Sequence, residues 1–173
     1  HYIRRGTVMF EDYWPVRGDY DFNDFVIYYD ITGKISGGGK PDVYDHEGLD
    51  IKVQFKAIGG AYSYQLGLQL DALPAKYIDS YDISQDQETV KVKFLNPNEE
   101  GPAVFVFEGT SALKGQNGAQ FYNTEKGHEV NENQLITATI KLKINCFNNL
   151  KKNRALVGSV ATTNQNFFLT ADK

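Results

Sequence analysis

Residues Ile136-Thr137-Ala138-Thr139-Ile140-Lys141-Leu142-Lys143-Ile144-Asn145-Cys146 alternate without a break. Ile136, Ala138, Ile140, Leu142, Ile144 and Cys146 take one parity; Thr137, Thr139, Lys141, Lys143 and Asn145 take the other. Side chains of an extended chain point to opposite faces in turn, so this two-residue period predicts a strand buried on one face. The pattern recurs to either side. Leu49, Ile51, Val53, Phe55 and Ala57 stand against Asp50, Lys52, Gln54 and Lys56, and Val90, Val92 and Phe94 alternate with Lys91 and Lys93. Shorter strands are expected at Gly6–Phe10, Asp24–Ile31, Tyr64–Leu70, Ala103–Phe107 and Ala155–Thr162.

Turn-forming segments separate these runs: Ser36-Gly37-Gly38-Gly39-Lys40-Pro41, Asn96-Pro97-Asn98, Lys114–Gly118 and Asn145–Asn149. The Gly37–Gly39 run reads as a mobile loop. No segment keeps a helical period over three turns, and Ala72–Ile78 has room for a single turn. About eight strands with one apolar face each imply two sheets packed face to face. The expected fold is all-β, an antiparallel β-sandwich or jelly-roll-like domain.

With 173 residues the chain is long enough for one domain with a substantial core. Its formal net charge of −4 and scattered Lys and Arg leave no basic field for a phosphate backbone, so nucleic acid is excluded as an expected partner. No apolar run reaches the 18 residues or so of a membrane-spanning helix. One cysteine, Cys146, leaves no internal disulfide framework. The start at His1, without Met or a signal-peptide pattern, reads as a processed or engineered fragment.

Chemistry concentrates in Gly18-Asp19-Tyr20-Asp21-Phe22-Asn23-Asp24-Phe25. Carboxylates packed this closely repel one another unless a cation holds them, and Ca²⁺ takes 6–8 oxygen ligands of this kind. Asp19, Asp21 and Asn23 fill the first, third and fifth positions of an EF-hand loop, and Asp30 falls at the twelfth. The glycine required at the sixth is Asp24, however, and β-forming residues follow at once. A strand from Asp24 to Asp30 spans ~20 Å, which carries Asp30 out of any shared site. The expected calcium ligands are therefore Glu11, Asp12, Asp19, Asp21, Asn23 and Asp24. The competing reading is that Asp and Asn here form Asx-turns that satisfy backbone N–H groups.

Gly6-Thr7-Val8-Met9-Phe10-Glu11-Asp12-Tyr13-Trp14-Pro15 and Gly18–Val26 together resemble the opening of the LruC-type domain of secreted or surface lipoproteins, chiefly of Bacteroidetes. That opening runs close to F-E-D-x-W-P-x-x-G-D-Y-D-F-N-D-x-V. Fainter echoes follow at Ala57–Leu70, where Gly60-Ala61 and Gly67 are retained, at Phe121-Tyr122-Asn123-Thr124 and at Asn166-Phe167-Phe168-Leu169. The resemblance implies a single LruC-like β-sandwich over residues 1–173 that lacks the family's C-terminal E-V-H-L-P segment. It implies an exported or outer-membrane lipoprotein without established enzymatic activity, and calcium as the ion.

Other candidates weigh less. His46 and His128 have acidic neighbours but sit in polar sequence that reads as solvated loop. Cys146 shares the apolar parity of its strand and reads as a buried thiol. No nucleophile or phosphate-loop motif is present, and no carboxylate pair is singled out for a glycan hydrolase. Tyr13, Trp14, Tyr20, Tyr28, Tyr29, Tyr44, Tyr62, Tyr64, Tyr77, Tyr81 and Tyr122 are numerous enough to supply ligand-stacking rings. The expected function is a non-catalytic surface module for adhesion or display with a structural calcium loop. The alternative is a carbohydrate-binding module, and the partner is a glycan or a surface protein.

Overall fold

The computed structural model of the protein describes residues 2–10, 25–37, 44–59, 64–85, 89–114, 122–124, 127, 129–144 and 165–171. Nine strands run through them: β1 (Tyr2–Phe10), β2 (Phe25–Gly37), β3 (Tyr44–Ala57), β4 (Tyr64–Pro74), β5 (Ile78–Gln85), β6 (Lys91–Phe94), β7 (Pro102–Glu108), β8 (Thr137–Ile144) and β9 (Gln165–Ala171). They form a five-stranded sheet, β1-β2-β3-β8-β5, and a four-stranded sheet, β6-β7-β4-β9, with every pairing antiparallel. No α-helix occurs among the described residues, and Ala75–Tyr77 makes one 3-10 turn between β4 and β5.

The alternation explains the packing. Phe25, Ile27, Tyr29 and Ile31 of β2, Leu49, Ile51, Val53 and Phe55 of β3, and Ala138, Ile140 and Leu142 of β8 turn inward and are buried. Leu66, Leu68 and Leu70 of β4 and Ala103, Phe105 and Phe107 of β7 meet them from the second sheet. Aromatic pairs join the layers at three places: Phe55 with Phe107, Tyr29 with Phe167, and Tyr81 with Phe94. Each fully buried Phe, Ile or Leu contributes ~1.5–3 kcal/mol of apolar burial, so this shared core is what holds the two sheets together.

Two strands were not legible as alternations, β5 and β9. In β5 the register slips between Ile78 and Ser80, which throws the later residues onto the other parity. In β9 the adjacent Phe167 and Phe168 serve opposite faces of the sheet. The expected strand at Ala155–Thr162 lies outside the described residues, as do Cys146 and His128. His46, expected in a loop, belongs to β3, opposite Ile35, because the β2–β3 arm continues past a bulge at Lys34/Ile35. Gly48 is needed in that arm: a Cβ there would overlap the backbone carbonyl oxygen of Leu142 on β8.

Candidate functional site

All six expected calcium ligands, Glu11, Asp12, Asp19, Asp21, Asn23 and Asp24, lie outside the described residues. Their frame is described. β1 ends at Phe10 and β2 begins at Phe25, and these two residues are cross-strand partners. Every expected ligand thus belongs to one connection whose ends are held side by side by an antiparallel ladder. Strand pairing thus brings the two ends of the connection together.

The base of the connection is tied to the core by a run of edge-on aromatic contacts. Phe10 and Phe25 stand 6.2 Å apart at 80°, Phe25 and Phe55 6.3 Å apart at 80°, and Phe55 and Phe107 6.0 Å apart at 71°. Such pairs contribute ~0.5–1.5 kcal/mol each beyond the area they bury.

Asp30 is held elsewhere. It sits on the outward face of β2, where Arg5 Nε donates to its Oδ2 at 2.7 Å and Thr32 Oγ1 donates to its Oδ1 at 3.2 Å. Both carboxylate oxygens have protein donors. The hydrogen bond to Asp30, and then its charge, hold the Arg5 guanidinium more firmly protonated than usual. Among the described residues, no three His, Cys, Asp or Glu side chains come together as a metal-holding group.

A second polar constellation stands next to the loop base. Val26 of β2 pairs with Ala57, the last residue of β3, and the following Ile58 bridges to Tyr122 with both backbone hydrogen bonds at 2.9 Å. Tyr122, 3% exposed, inserts its hydroxyl between β3 and β8, donating to Phe55 O at 3.0 Å and accepting from Ile136 N at 3.2 Å. Burial pushes its phenol pKa up, and the Ile136 N–H partly offsets this. Asn123 follows with φ 54°, a left-handed conformation that asparagine tolerates. Its Nδ2 donates to Lys56 O and its Oδ1 accepts from Val130 N, each at 2.7 Å. Tyr122-Asn123 is therefore a clamp on the end of β3. The sequence signalled this motif only as a family echo, and Tyr122 is not available as an exposed ligand-stacking ring.

Of the other aromatics, Tyr29 is buried, Tyr28 lies under the Lys56 ammonium, 5.4 Å from its ring centroid, and Tyr81 is 49% exposed. Tyr13, Trp14, Tyr20 and Tyr62 lie outside the described residues. No helix among the described residues is long and apolar enough to cross a membrane.

This architecture has a solved counterpart. The chain is similar to a candidate lipoprotein from Bacteroides ovatus, with a TM-score of 0.74 at 21% identity, over 98% of this chain and 53% of that one. It spans about half the length of that protein, and the likeness establishes the shared fold. No curated protein matches the chain in sequence. A family match, to the Domain of unknown function (DUF4842), covers residues 47–173 and so begins after the acidic connection and its LruC-like flanks. The chain belongs to the DUF4842 family.

Proposed function

We propose that the chain is a non-catalytic module of an exported bacterial surface protein, with a structural calcium site in the connection between β1 and β2. Glu11, Asp12, Asp19, Asp21, Asn23 and Asp24 would supply carboxylate and amide oxygens, the hard donors that Ca²⁺ prefers. The observation that supports this reading is the Phe10–Phe25 pairing, which holds the two ends of the segment that contains the acidic residues side by side, with Phe25 packed in the core. LruC-like residues 6–26 and the fold shared with a candidate lipoprotein support export and surface anchoring. Adhesion or display is the role that fits. Extracellular calcium, at ~10⁻³ M, would keep a weak site of this kind filled, so the ion would act as a structural part and not as a signal.

Thermal unfolding with and without calcium tests the reading. At a hundred times Kd the ion stabilises the fold by ~2.7 kcal/mol. EDTA should lower the midpoint and calcium should restore it. An unchanged midpoint, with no calcium retained on elemental analysis, would remove the site.

A further inference from the structure

A row of exposed side chains marks one edge of the five-stranded sheet. Among the described residues β1 pairs with β2 alone, and its nine residues keep an unbroken register from Tyr2↔Gly33 to Phe10↔Phe25. Alternate residues of an edge strand turn their N–H and C=O groups away from the sheet, where another strand can pair with them. Ile3, Arg4, Arg5, Thr7 and Met9 are exposed along β1. Ile3 is 51% and Met9 56% exposed, two of the four large apolar side chains left open among the described residues.

The other edges carry devices that discourage pairing. β6 has four residues, with Lys91 and Lys93 on either side of Val92. β5 is interrupted by its register slip between Ile78 and Ser80 and bears Asp79 and Asp82. In β9, Asn166 alone among the described side chains is exposed, and Phe168 folds back over Gly67. Short length, bulges and charges are the usual protections of a sheet edge. β1 has neither bulge nor proline, and Arg5, one of its two charged residues, is drawn toward β2 by Asp30.

The sequence of β1 is also complementary to itself. When two copies meet edge to edge about a two-fold axis normal to the sheet, their β1 strands run antiparallel and opposite residues share a face. With the axis at Gly6 all nine residues are paired: Ile3 of one copy lies opposite Met9 of the other, Arg5 opposite Thr7, Arg4 opposite Val8 and Tyr2 opposite Phe10. This register covers both exposed apolar residues in each copy. Moving the axis to Arg5 or to Arg4 sets that arginine against its own counterpart, and like charges directly opposite oppose pairing. Moving it to Thr7 puts Met9 opposite Arg5 and leaves Ile3 beyond the end of the facing strand.

We propose that β1 is a homodimerisation edge, through which two copies of the chain pair antiparallel about Gly6 to make one continuous sheet. The contact is one strand wide and falls at the small end of specific interfaces, so the dimer is reversible and concentration-dependent. This goes beyond the reading as a surface module and requires no metal.

Sedimentation equilibrium of the full chain from ~1 μM to ~1 mM tests the proposal. The mass should rise with concentration from 19.5 kDa to twice that value and no further. Ile3→Glu, at an exposed position, should weaken dimerisation about tenfold or more, since each dimer holds the contact twice. Met9→Lys should act in the same direction. Combining Ile3→Glu with Met9→Lys in one chain sets opposite charges face to face and should restore the dimer, which a merely damaged strand would not do. Leu95→Glu, at an exposed apolar residue beside β6, should leave the mass unchanged. A single 19.5 kDa species throughout, a dimer indifferent to both single variants, or equal loss with Leu95→Glu would overturn the proposal. Failure of the combined variant to regain the dimer would overturn it too.

Discussion

Replacing Tyr122 by phenylalanine removes one oxygen atom and leaves two buried backbone groups to account for. In the native fold the hydroxyl stands between β3 and β8, accepting from Ile136 N–H and donating to Phe55 C=O. The ring of Tyr122→Phe still fills its place, so no cavity opens and the change reads hydrogen bonding alone. An unsatisfied buried group costs ~1–3 kcal/mol, and a carbonyl with two lone pairs tolerates the loss better than an N–H does. The expected destabilisation is therefore ~2–4 kcal/mol, a large share of the ~5–15 kcal/mol that stabilises an ordinary domain. Urea unfolding followed by tyrosine fluorescence should show a lower midpoint at unchanged slope. The pH dependence supplies an independent check. Burial raises the folded phenol pKa above its unfolded value of about 10, so above that pH the unfolded chain binds fewer protons than the folded one. The contribution of Tyr122 is thus fully present below about pH 10 and is lost as pH rises through the folded value. The gap between the native protein and Tyr122→Phe should narrow in that range. A loss below ~0.5 kcal/mol at neutral pH, less than a single net hydrogen bond, would refute the clamp.

Three further outcomes follow from the same geometry. Gly48→Ala should be among the most damaging small substitutions, ~1–3 kcal/mol by denaturant unfolding, because its Cβ meets a backbone oxygen that cannot rotate away. Gly67→Ala should cost less, since the Phe168 ring can swing aside, and should raise the exposure of that ring to solvent-borne NMR relaxation agents. Asp30→Ala should leave calcium-dependent stabilisation intact in thermal unfolding, because Asp30 is engaged by Arg5 and Thr32 on the strand.

Much of the fold was readable because sheet packing writes a two-residue period into the chain. β8, and β3 from Leu49 onward, buried on one face and solvated on the other, carry it in full. β5 is an edge strand with a register slip and an exposed Tyr81, so its pattern is broken where it is read. β9 places aromatic residues on both faces, Phe167 against Tyr29 in the core and Phe168 over Gly67 outside. The acidic connection was conspicuous because like charges in one short segment demand a compensating partner. Ending it at the start of β2 also followed from the sequence, since Phe25 begins an apolar run. The Tyr122-Asn123 clamp was not legible: its partners Phe55, Lys56, Val130 and Ile136 are joined to it by tertiary structure, and a hydroxyl inserted into a ladder leaves no period behind.

Calcium binding measured by titration calorimetry on the metal-stripped chain, alongside Asp21→Ala, bears most directly on the proposed role of the β1–β2 connection. The native protein should bind Ca²⁺ with a saturable isotherm, and Asp21→Ala should lose most of that affinity while retaining its fold. Absence of binding by the native protein, or an isotherm that Asp21→Ala leaves unchanged, would contradict it.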